Sequence, residues 1–313
     1  MLKNETTNSS NQIERSSVTN KIRLWLLDHP SFNPYRFSLK SAYRIVTNQI
    51  RVLPDFVVIG SSKSGTTSLH YYLIQHPSII AERNVHFFEY IHTNSIEWYR
   101  AHFPTKTYKN FKKIIRKEKL IVGEQTATYL FHPLVPKRIH ATMPNVKLIV
   151  ILRNPVDRAY SNYQHQVRDY VRTGRGDYRT FDDAIKSELK RIEIGKKEPE
   201  YKINNDDFNN HVSFLYLRHG IYVDFIKSWM EFFTKDQFLI LPSYDLNNNH
   251  AKFLKQVFEF LNVPNHKVDS LERKNVGEYK KLDKSTRKLL VDYYRPHNER
   301  LFKLLGKNFD WDQ

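Results

Sequence analysis

The sequence predicts an α/β fold in which a central parallel sheet is flanked by helices within a single domain. Short apolar runs at residues 55–60, 146–152 and 238–241 have the composition of buried strands. Segments with helical spacing of apolar residues alternate with these runs, which is typical of a parallel sheet covered on both faces. The 313 residues contain no internal repeat and no clear linker, so we predict one domain.

The first predicted strand, residues 55–60, is bounded by Pro54 and by its own Gly60. A loop rich in Ser and Thr follows at residues 61–67. Residues 68–75 then carry apolar side chains on one helical face, and Pro77 ends this helix. The order is therefore strand, glycine-containing loop and helix.

Later in the chain, predicted strands again alternate with predicted helices, and residues 120–122 give a weaker strand signal. The polar, poorly periodic segment 173–210 predicts an insertion that could act as a lid over a substrate. Helices are predicted at residues 155–170, 222–233 and 283–305.

The N-terminal region differs in composition from the predicted domain at residues 54–313. Residues 1–20 are rich in Ser, Asn and Thr and predict a disordered tail, whereas residues 21–53 predict a basic helical segment. This segment could cap the domain or make a peripheral membrane contact. No apolar run approaches the length of a membrane-spanning helix, and the first residues lack a signal-peptide core. We therefore expect a cytoplasmic protein, with the peripheral contact left open.

Charge and composition narrow the class of partner. The formal net charge is +17, which favours an anionic partner, while 40% hydrophobic and 14% aromatic residues suffice for a packed core. The absence of cysteine excludes disulfides, thiol nucleophiles and thiolate metal sites. No zinc finger, clear helix-turn-helix or RNA-recognition signature is present, so we expect no nucleic-acid partner.

The loop after the first strand has the features of a phosphate site. Backbone N–H groups and a helix N-terminus bind anions, and Lys63 adds a full positive charge. Gly60 and Gly65 have the Walker A spacing, but Thr66 stands where that motif has lysine. Arg153, rather than a magnesium-binding Asp, follows the second strand. An ATP-dependent small-molecule kinase is therefore the weaker alternative.

Residues 58–69, Val-Ile-Gly-Ser-Ser-Lys-Ser-Gly-Thr-Thr-Ser-Leu, resemble the 5′-phosphosulfate loop of the sulfotransferases. The resemblance is closest to the branch with heparan sulfate and other carbohydrate sulfotransferases. It implies a P-loop-like fold and 3′-phosphoadenosine 5′-phosphosulfate (PAPS) as the donor. It also implies that Lys63 contacts the bridging oxygen, and that the following residues wrap the phosphate: Ser64, Gly65, Thr66, Thr67 and Ser68.

Two later segments resemble the rest of that family's donor site. Residues 151–162 place Arg153 at a strand end and Ser161 eight positions later, and the resemblance implies that both bind the 3′-phosphate. Arginine suits this role because its planar fork can bind two phosphate oxygens. The basic loop 273–279 resembles the family's late donor loop, which implies donor contacts from Arg273, Lys274 and Gly277. The resemblance spans residues 54–311.

The candidate general base lies in residues 82–90, which resemble a Lys-Glu-x-His-Phe-Phe segment of the family. The Glu of that segment is commonly the base, but here its position holds Asn84, whose amide is not a useful base. We expect His86 to take the acceptor proton, with Glu89 orienting it or acting itself; Glu82 is a third candidate. Lys63 would stabilise charge on the leaving phosphate, and we expect no metal.

The acceptor site is predicted from residues 122–129, where relatives often have Glu-Lys-(Ser/Thr)-Pro-x-Tyr. Glu124 and Tyr129 match this pattern, whereas Gln125 replaces the lysine. The resemblance implies a glycan or glycolipid acceptor contacted by Glu124, Gln125 and Tyr129. Because Asn84 and Gln125 depart from the pattern, a degenerate protein that binds nucleotide or glycan without turnover is the second alternative.

Overall fold

The computed structural model describes residues 39–89, 94–116, 119–174, 176–193, 215–272 and 280–311. The predicted tail at residues 1–20 and the loop 273–279 lie outside these described residues, as do parts of the predicted segments 21–53 and 173–210. The predicted donor contacts Arg273, Lys274 and Gly277 therefore remain predictions.

A single parallel sheet of five strands forms the centre of the described fold, in the order β2-β3-β1-β4-β5. The three strong sequence signals and the weaker one at residues 120–122 all form strands. The strand at Ile79–Arg83 was not predicted from the sequence. The bounds are β1 Phe56–Gly60, β2 Ile79–Arg83, β3 Ile121–Gln125, β4 Lys147–Leu152 and β5 Phe238–Pro242.

Helices cover both faces of the sheet, as the alternation of elements predicts. In chain order they are α1 Leu39–Val46, α2 Thr66–Leu73, α3 Ile96–Arg100, α4 Lys106–Arg116, α5 Val135–Thr142, α6 Pro155–Thr173, α7 Phe181–Glu193, α8 Tyr222–Met230, α9 Ser243–Asn248, α10 His250–Leu261 and α11 Lys284–Leu305.

The sheet separates two hydrophobic cores. Along β1, Val57 and Ile59 pack into one core, while Phe56 and Val58 pack into the other. Successive side chains of a strand point to opposite faces, so a strand between two cores must be apolar at every position. This explains the unbroken apolar run of β1 that the sequence shows.

The segment predicted as an insertion is partly helical. Helix α7 buries Phe181, Ala184 and Ile185 on one face, and the buried Glu188 accepts the backbone N–H groups of Leu217 and Arg218 at 2.9 Å each. The sequence pattern is weak because this carboxylate occupies a position on the buried face. The described part of the segment therefore packs on the domain; its lid function stays untested.

All five strands end at the same edge of the sheet. Register pairs Arg83 with Gln125, Val58 with Gln125, and Leu152 with Pro242. Ligands of open α/β sheets bind outside the carboxyl ends of the strands. This carboxyl edge carries the loops that hold Lys63, His86 and Glu89, the predicted catalytic residues.

Candidate functional site

The loop after β1 is held against the end of β4. Ser61 donates its backbone N–H to the carbonyl of Ile151 at 2.9 Å, and its hydroxyl lies 2.5 Å from that of Ser64. Gly65 has a φ of 99°, and a Cβ there would lie 2.6 Å from Leu246 Cδ2. Only glycine adopts this conformation freely. The loop thus turns directly into α2, and the N-terminus of a helix favours a bound anion.

Lys63 lies in this loop among other cations. Its backbone φ is 71°, and its carbonyl accepts a hydrogen bond from Arg153 Nη1 at 3.1 Å. Burial, together with the charges of Arg168 and Arg153, lowers the pKa of Lys63 to about 8, although Asp169 opposes this shift. Cations that lower one another's pKa in this way are stabilised in their charged form by an anion placed between them. The residues therefore fit a phosphosulfate group.

Arg153 is the first residue beyond β4, and its backbone is fixed from two directions. Its carbonyl accepts the hydroxyl of Tyr222 at 3.0 Å. The next residue, Asn154, caps α6 by accepting the N–H of Val156 at 3.0 Å and donates to the carbonyl of Trp311 at 3.0 Å. The C-terminal residues thereby support the start of α6. Ser161 is buried two turns further along that helix.

Sequence reasoning missed two residues of α6 beside Lys63. Arg168 and His165 both interact electrostatically with Lys63. Burial and then the charge of Lys63 lower the pKa of His165. His165 lies four positions after Ser161 and Arg168 lies seven positions after it, a spacing that places all three on one helical face. That spacing is the signal that could have found them.

His86 and Glu89 form a hydrogen-bonded pair beyond the end of β2. His86 Nδ1 lies 2.6 Å from Glu89 Oε2, and the Glu89 side chain is 2% exposed while that of His86 is 37% exposed. Burial lowers the pKa of His86, but the hydrogen bond and charge of Glu89, aided by Glu124, outweigh burial and raise it overall. The pair presents an accessible imidazole oriented by a buried carboxylate, which is the arrangement of a general base with its orienting acid.

Glu124 and Tyr129 lie in a buried network beneath this pair. The fully buried Glu124 accepts the hydroxyl of Tyr99 at 2.5 Å and that of Thr126 at 2.7 Å. Burial raises the pKa of Glu124, while these hydrogen bonds and that of Tyr129 oppose the rise. Thr126 Oγ1 also accepts the N–H of His86 at 3.4 Å. Glu124 thus supports the His86 loop from below, and its predicted acceptor contact stays a prediction.

Asn84 and Gln125 occupy the two positions that depart from the resemblance. The exposed Asn84 has a φ of 56° and donates its backbone N–H to the carbonyl of Gln125 at 2.7 Å. Asparagine tolerates this left-handed conformation better than most residues. The Gln125 side chain is 2% exposed, and its Oε1 atom is buried without a hydrogen-bond partner. An unpaired buried oxygen of this kind is suited to a donor supplied by a ligand.

Within the described ranges, no group of three or more His, Asp or Glu side chains is arranged to hold a metal ion. The same residues include no helix that is long and apolar enough to cross a membrane.

A parallel sheet with a glycine-containing loop and Lys63 after β1, Arg153 after β4 and the His86–Glu89 pair after β2 is an arrangement suited to a nucleotide-dependent group transferase. The chain belongs to the sulfotransferase family, because the sulfotransferase domain matches residues 53–313. Membership of this family makes the protein a PAPS-dependent sulfotransferase, and the predicted fold class is confirmed.

Individual relatives are similar over most of this chain. The membrane-associated sulfotransferase kil1 of Dictyostelium discoideum is 25% identical over 85% of this chain and 68% of its own length. The bifunctional heparan sulfate N-deacetylase/N-sulfotransferase 1 of Xenopus laevis is 31% identical over 81% of this chain. This chain spans only 30% of that second relative's length.

One solved structure supports the architecture. A sulfotransferase from Alicyclobacillus acidocaldarius superposes with a TM-score of 0.62, covering 84% of this chain and all of the solved one, at 23% identity. At this level of identity the likeness concerns the fold.

Proposed function

We propose that the protein transfers the sulfuryl group of PAPS to a hydroxyl or amine of a glycan by in-line displacement. The observation that carries this proposal is that Lys63, Arg153 and Arg168 lie beside one another at the same carboxyl edge of the sheet as the His86–Glu89 pair. A cationic site for the donor, after β1 and β4, and a base for the acceptor, after β2, thus share one edge of the sheet, with β3 between them.

The reaction needs two charge changes, and the proposal assigns one to each group. The acceptor oxygen or nitrogen attacks sulfur while the bond from sulfur to the phosphate oxygen breaks. His86 takes the acceptor proton through its Nε2 atom, because Nδ1 is bound to Glu89. Lys63 stabilises the negative charge that develops on the departing 5′-phosphate. Arg153 and Ser161 hold the 3′-phosphate of the nucleotide.

The acceptor class rests on the relatives. The Xenopus protein is, by its name, a heparan sulfate N-sulfotransferase. The net charge of +17 suits an anionic polymer of this kind as the acceptor. We propose that Gln125 contacts the acceptor, since its buried oxygen has an unused acceptor position. A peripheral membrane location is also proposed, in keeping with the name of the Dictyostelium relative.

The degenerate, non-transferring alternative is favoured by one observation, Asn84 at the position where relatives have the base. His86 offers a base two residues away, which is why we prefer the active enzyme. The family match leaves the kinase without support.

Two measurements test the proposal. Calorimetry should find tight, metal-independent binding of 3′-phosphoadenosine 5′-phosphate and none of ATP with magnesium. Radiolabelled PAPS should then transfer sulfate to N-desulfated heparin, with O-desulfated heparin as the matched acceptor. Nucleotide binding without transfer to any glycan would favour the degenerate alternative, and preference for ATP with magnesium would overturn the proposal.

A further inference from the structure

Exposed apolar side chains are concentrated in two short segments of the chain. Among the described residues, sixteen large apolar side chains are exposed, and eight of them lie in residues 43–50 and 106–116. Four belong to α4: Tyr108, Phe111, Ile114 and Ile115, with exposed fractions of 42%, 56%, 76% and 61%. A contiguous apolar surface of this kind marks an interaction site, whereas isolated exposed residues need no explanation.

Helix α4 is oriented with its apolar side away from the domain. Lys109 points inward, where its Nζ atom lies 2.6 Å from Asp55 Oδ2, and Lys112 is half-buried one turn later. Tyr108, Phe111 and Ile115 follow the i, i+3, i+7 spacing of the other side of the helix. An amphipathic helix normally buries its apolar side, so this reversed orientation indicates an external apolar partner.

The second segment extends this surface. Arg51 pairs with Thr105 in an antiparallel bridge, and Val52 donates its N–H to the carbonyl of Pro104 at 3.0 Å. This pairing brings the end of residues 43–50 beside the start of α4. Tyr43, Ile45, Val46 and Ile50 are at least half exposed there. We call residues 43–50 and 106–116 together the α4 surface.

The charge of the α4 surface selects among apolar partners. Five of the eleven residues of α4 are basic, and neither segment contains an acidic residue. A second copy would bring the same basic residues into contact and be repelled. An apolar helix face bordered by lysines instead matches an anionic lipid surface, where the apolar side chains enter the acyl boundary and the lysines meet phosphates.

We propose that the α4 surface docks the protein onto membranes that contain anionic lipids. The proposal is independent of the assignment of the catalytic residues. Asp55 directly precedes β1, so its contact with Lys109 places α4 near the amino ends of the strands. The donor site lies at the carboxyl edge, so a docked enzyme keeps this site open to nucleotide.

The experiment is sedimentation of the full chain with vesicles of phosphatidylcholine, with and without phosphatidylserine. The unaltered protein should bind the vesicles with phosphatidylserine more tightly. Replacing both Ile114 and Ile115 by Glu should weaken this binding about a hundredfold, because two buried isoleucine side chains are lost from the lipid. Replacing Lys106 and Lys113 by Ala should weaken it about thirtyfold and reduce the preference for phosphatidylserine.

Leu289→Glu is the matched control, because Leu289 is an exposed leucine of α11, 51% accessible, outside the α4 surface. It should leave vesicle binding unchanged. Binding of 3′-phosphoadenosine 5′-phosphate should be equal for all variants, with or without vesicles. Equal vesicle binding by the Ile114 and Ile115 double variant, or no binding by the unaltered protein, would overturn the proposal.

Two other occupants give different results and would also overturn it. If another part of the same chain covers the α4 surface, the isoleucine double variant should melt at a lower temperature than the Leu289→Glu control. If a second copy covers it, analytical ultracentrifugation should show a dimer that this double variant abolishes.

Discussion

On the β1 and β4 side of the carboxyl edge, the candidate contacts come from backbone N–H groups and cations. On the β2 and β3 side they come from an imidazole supported by buried carboxylates and phenols. Each residue that carries the donor half, Lys63, Arg153 and Ser161, matches the family pattern, whereas both departures, Asn84 and Gln125, lie in the other half. In the proposed site, donor recognition is thus the part that keeps the family pattern, and proton transfer and acceptor recognition are the parts that depart from it.

The contrast has a physical origin. The phosphates of the proposed donor do not depend on the acceptor, so the cations that bind them need not change with the acceptor. The acceptor half must fit a particular substrate, and a base can be placed on more than one residue of a loop if a carboxylate orients it. Substitutions should therefore separate the two halves, with donor binding lost on one side and only turnover lost on the other.

The largest effect is expected for Lys63→Ala. Loss of the charge beside the leaving phosphate should lower turnover by about a thousandfold or more and weaken donor binding as well. Steady-state kinetics and calorimetry measure the two effects. Lys235→Ala, at an exposed lysine far from the loop in sequence, is the control. Unchanged kinetics of Lys63→Ala would refute the assignment of the loop.

His86→Ala should lower turnover by about a hundredfold while leaving nucleotide affinity unchanged. Single-turnover kinetics at saturating donor, combined with calorimetry, test the separation of the two halves. Glu82→Ala, near the end of β2, is the matched variant and should retain activity. If Glu82→Ala loses turnover and His86→Ala does not, the base has been assigned to the wrong residue.

Arg153→Lys should weaken binding of 3′-phosphoadenosine 5′-phosphate about tenfold, because lysine keeps the charge but loses the planar fork. Binding of adenosine 5′-phosphosulfate, which lacks the 3′-phosphate, should change less. An equal loss for both nucleotides would mean that Arg153 acts through its hydrogen bond to Lys63 rather than through the 3′-phosphate.

The pH dependence of donor binding should follow the titration of Lys63. The pKa of Lys63 is lowered to about 8 by burial and by Arg168 and Arg153, and an anionic donor favours the charged form and raises it. Affinity should therefore be constant below about pH 8 and fall as the pH rises further, by up to about tenfold per pH unit. Calorimetry over this range measures it, and a flat profile would contradict the role of Lys63.

The smallest effect is expected for Glu89→Gln, as a shift of the pH profile of turnover. His86 acts as a base only when it is neutral, and Glu89 raises the pKa of His86. The acidic limb of the profile should therefore lie above pH 6.5, the ordinary pKa of histidine. Removing the carboxylate charge lowers the pKa of His86 and should move this limb to lower pH. An acidic limb at an unchanged pH would show that Glu89 does not set the pKa of the base.

The donor half could be predicted from the sequence because its signals are local. A strand, a glycine-containing loop and a helix follow one another, and Arg153 stands directly after an apolar run. The other half could be predicted only in part. Strand β2 was missed because its sequence, Ile-Ile-Ala-Glu-Arg, is short and ends in charged residues, which an edge strand tolerates. The hydrogen bond from Tyr99 to Glu124 joins residues 25 positions apart, and no sequence period predicts such a contact.

The sequence by itself determined the alternation of strands and helices, the anion-binding loop and the identity of the cations that surround it, since these depend on residue types and short spacings. Tertiary structure decided which of the candidate carboxylates reaches His86 and which is buried beneath it. It also decided the orientation of α4. Helical spacing defines an apolar side of that helix, but in the folded domain Lys109 faces Asp55 and the apolar side faces outward. Which surface a helix buries depends on what its neighbours offer, and neighbours are assigned only when the chain folds.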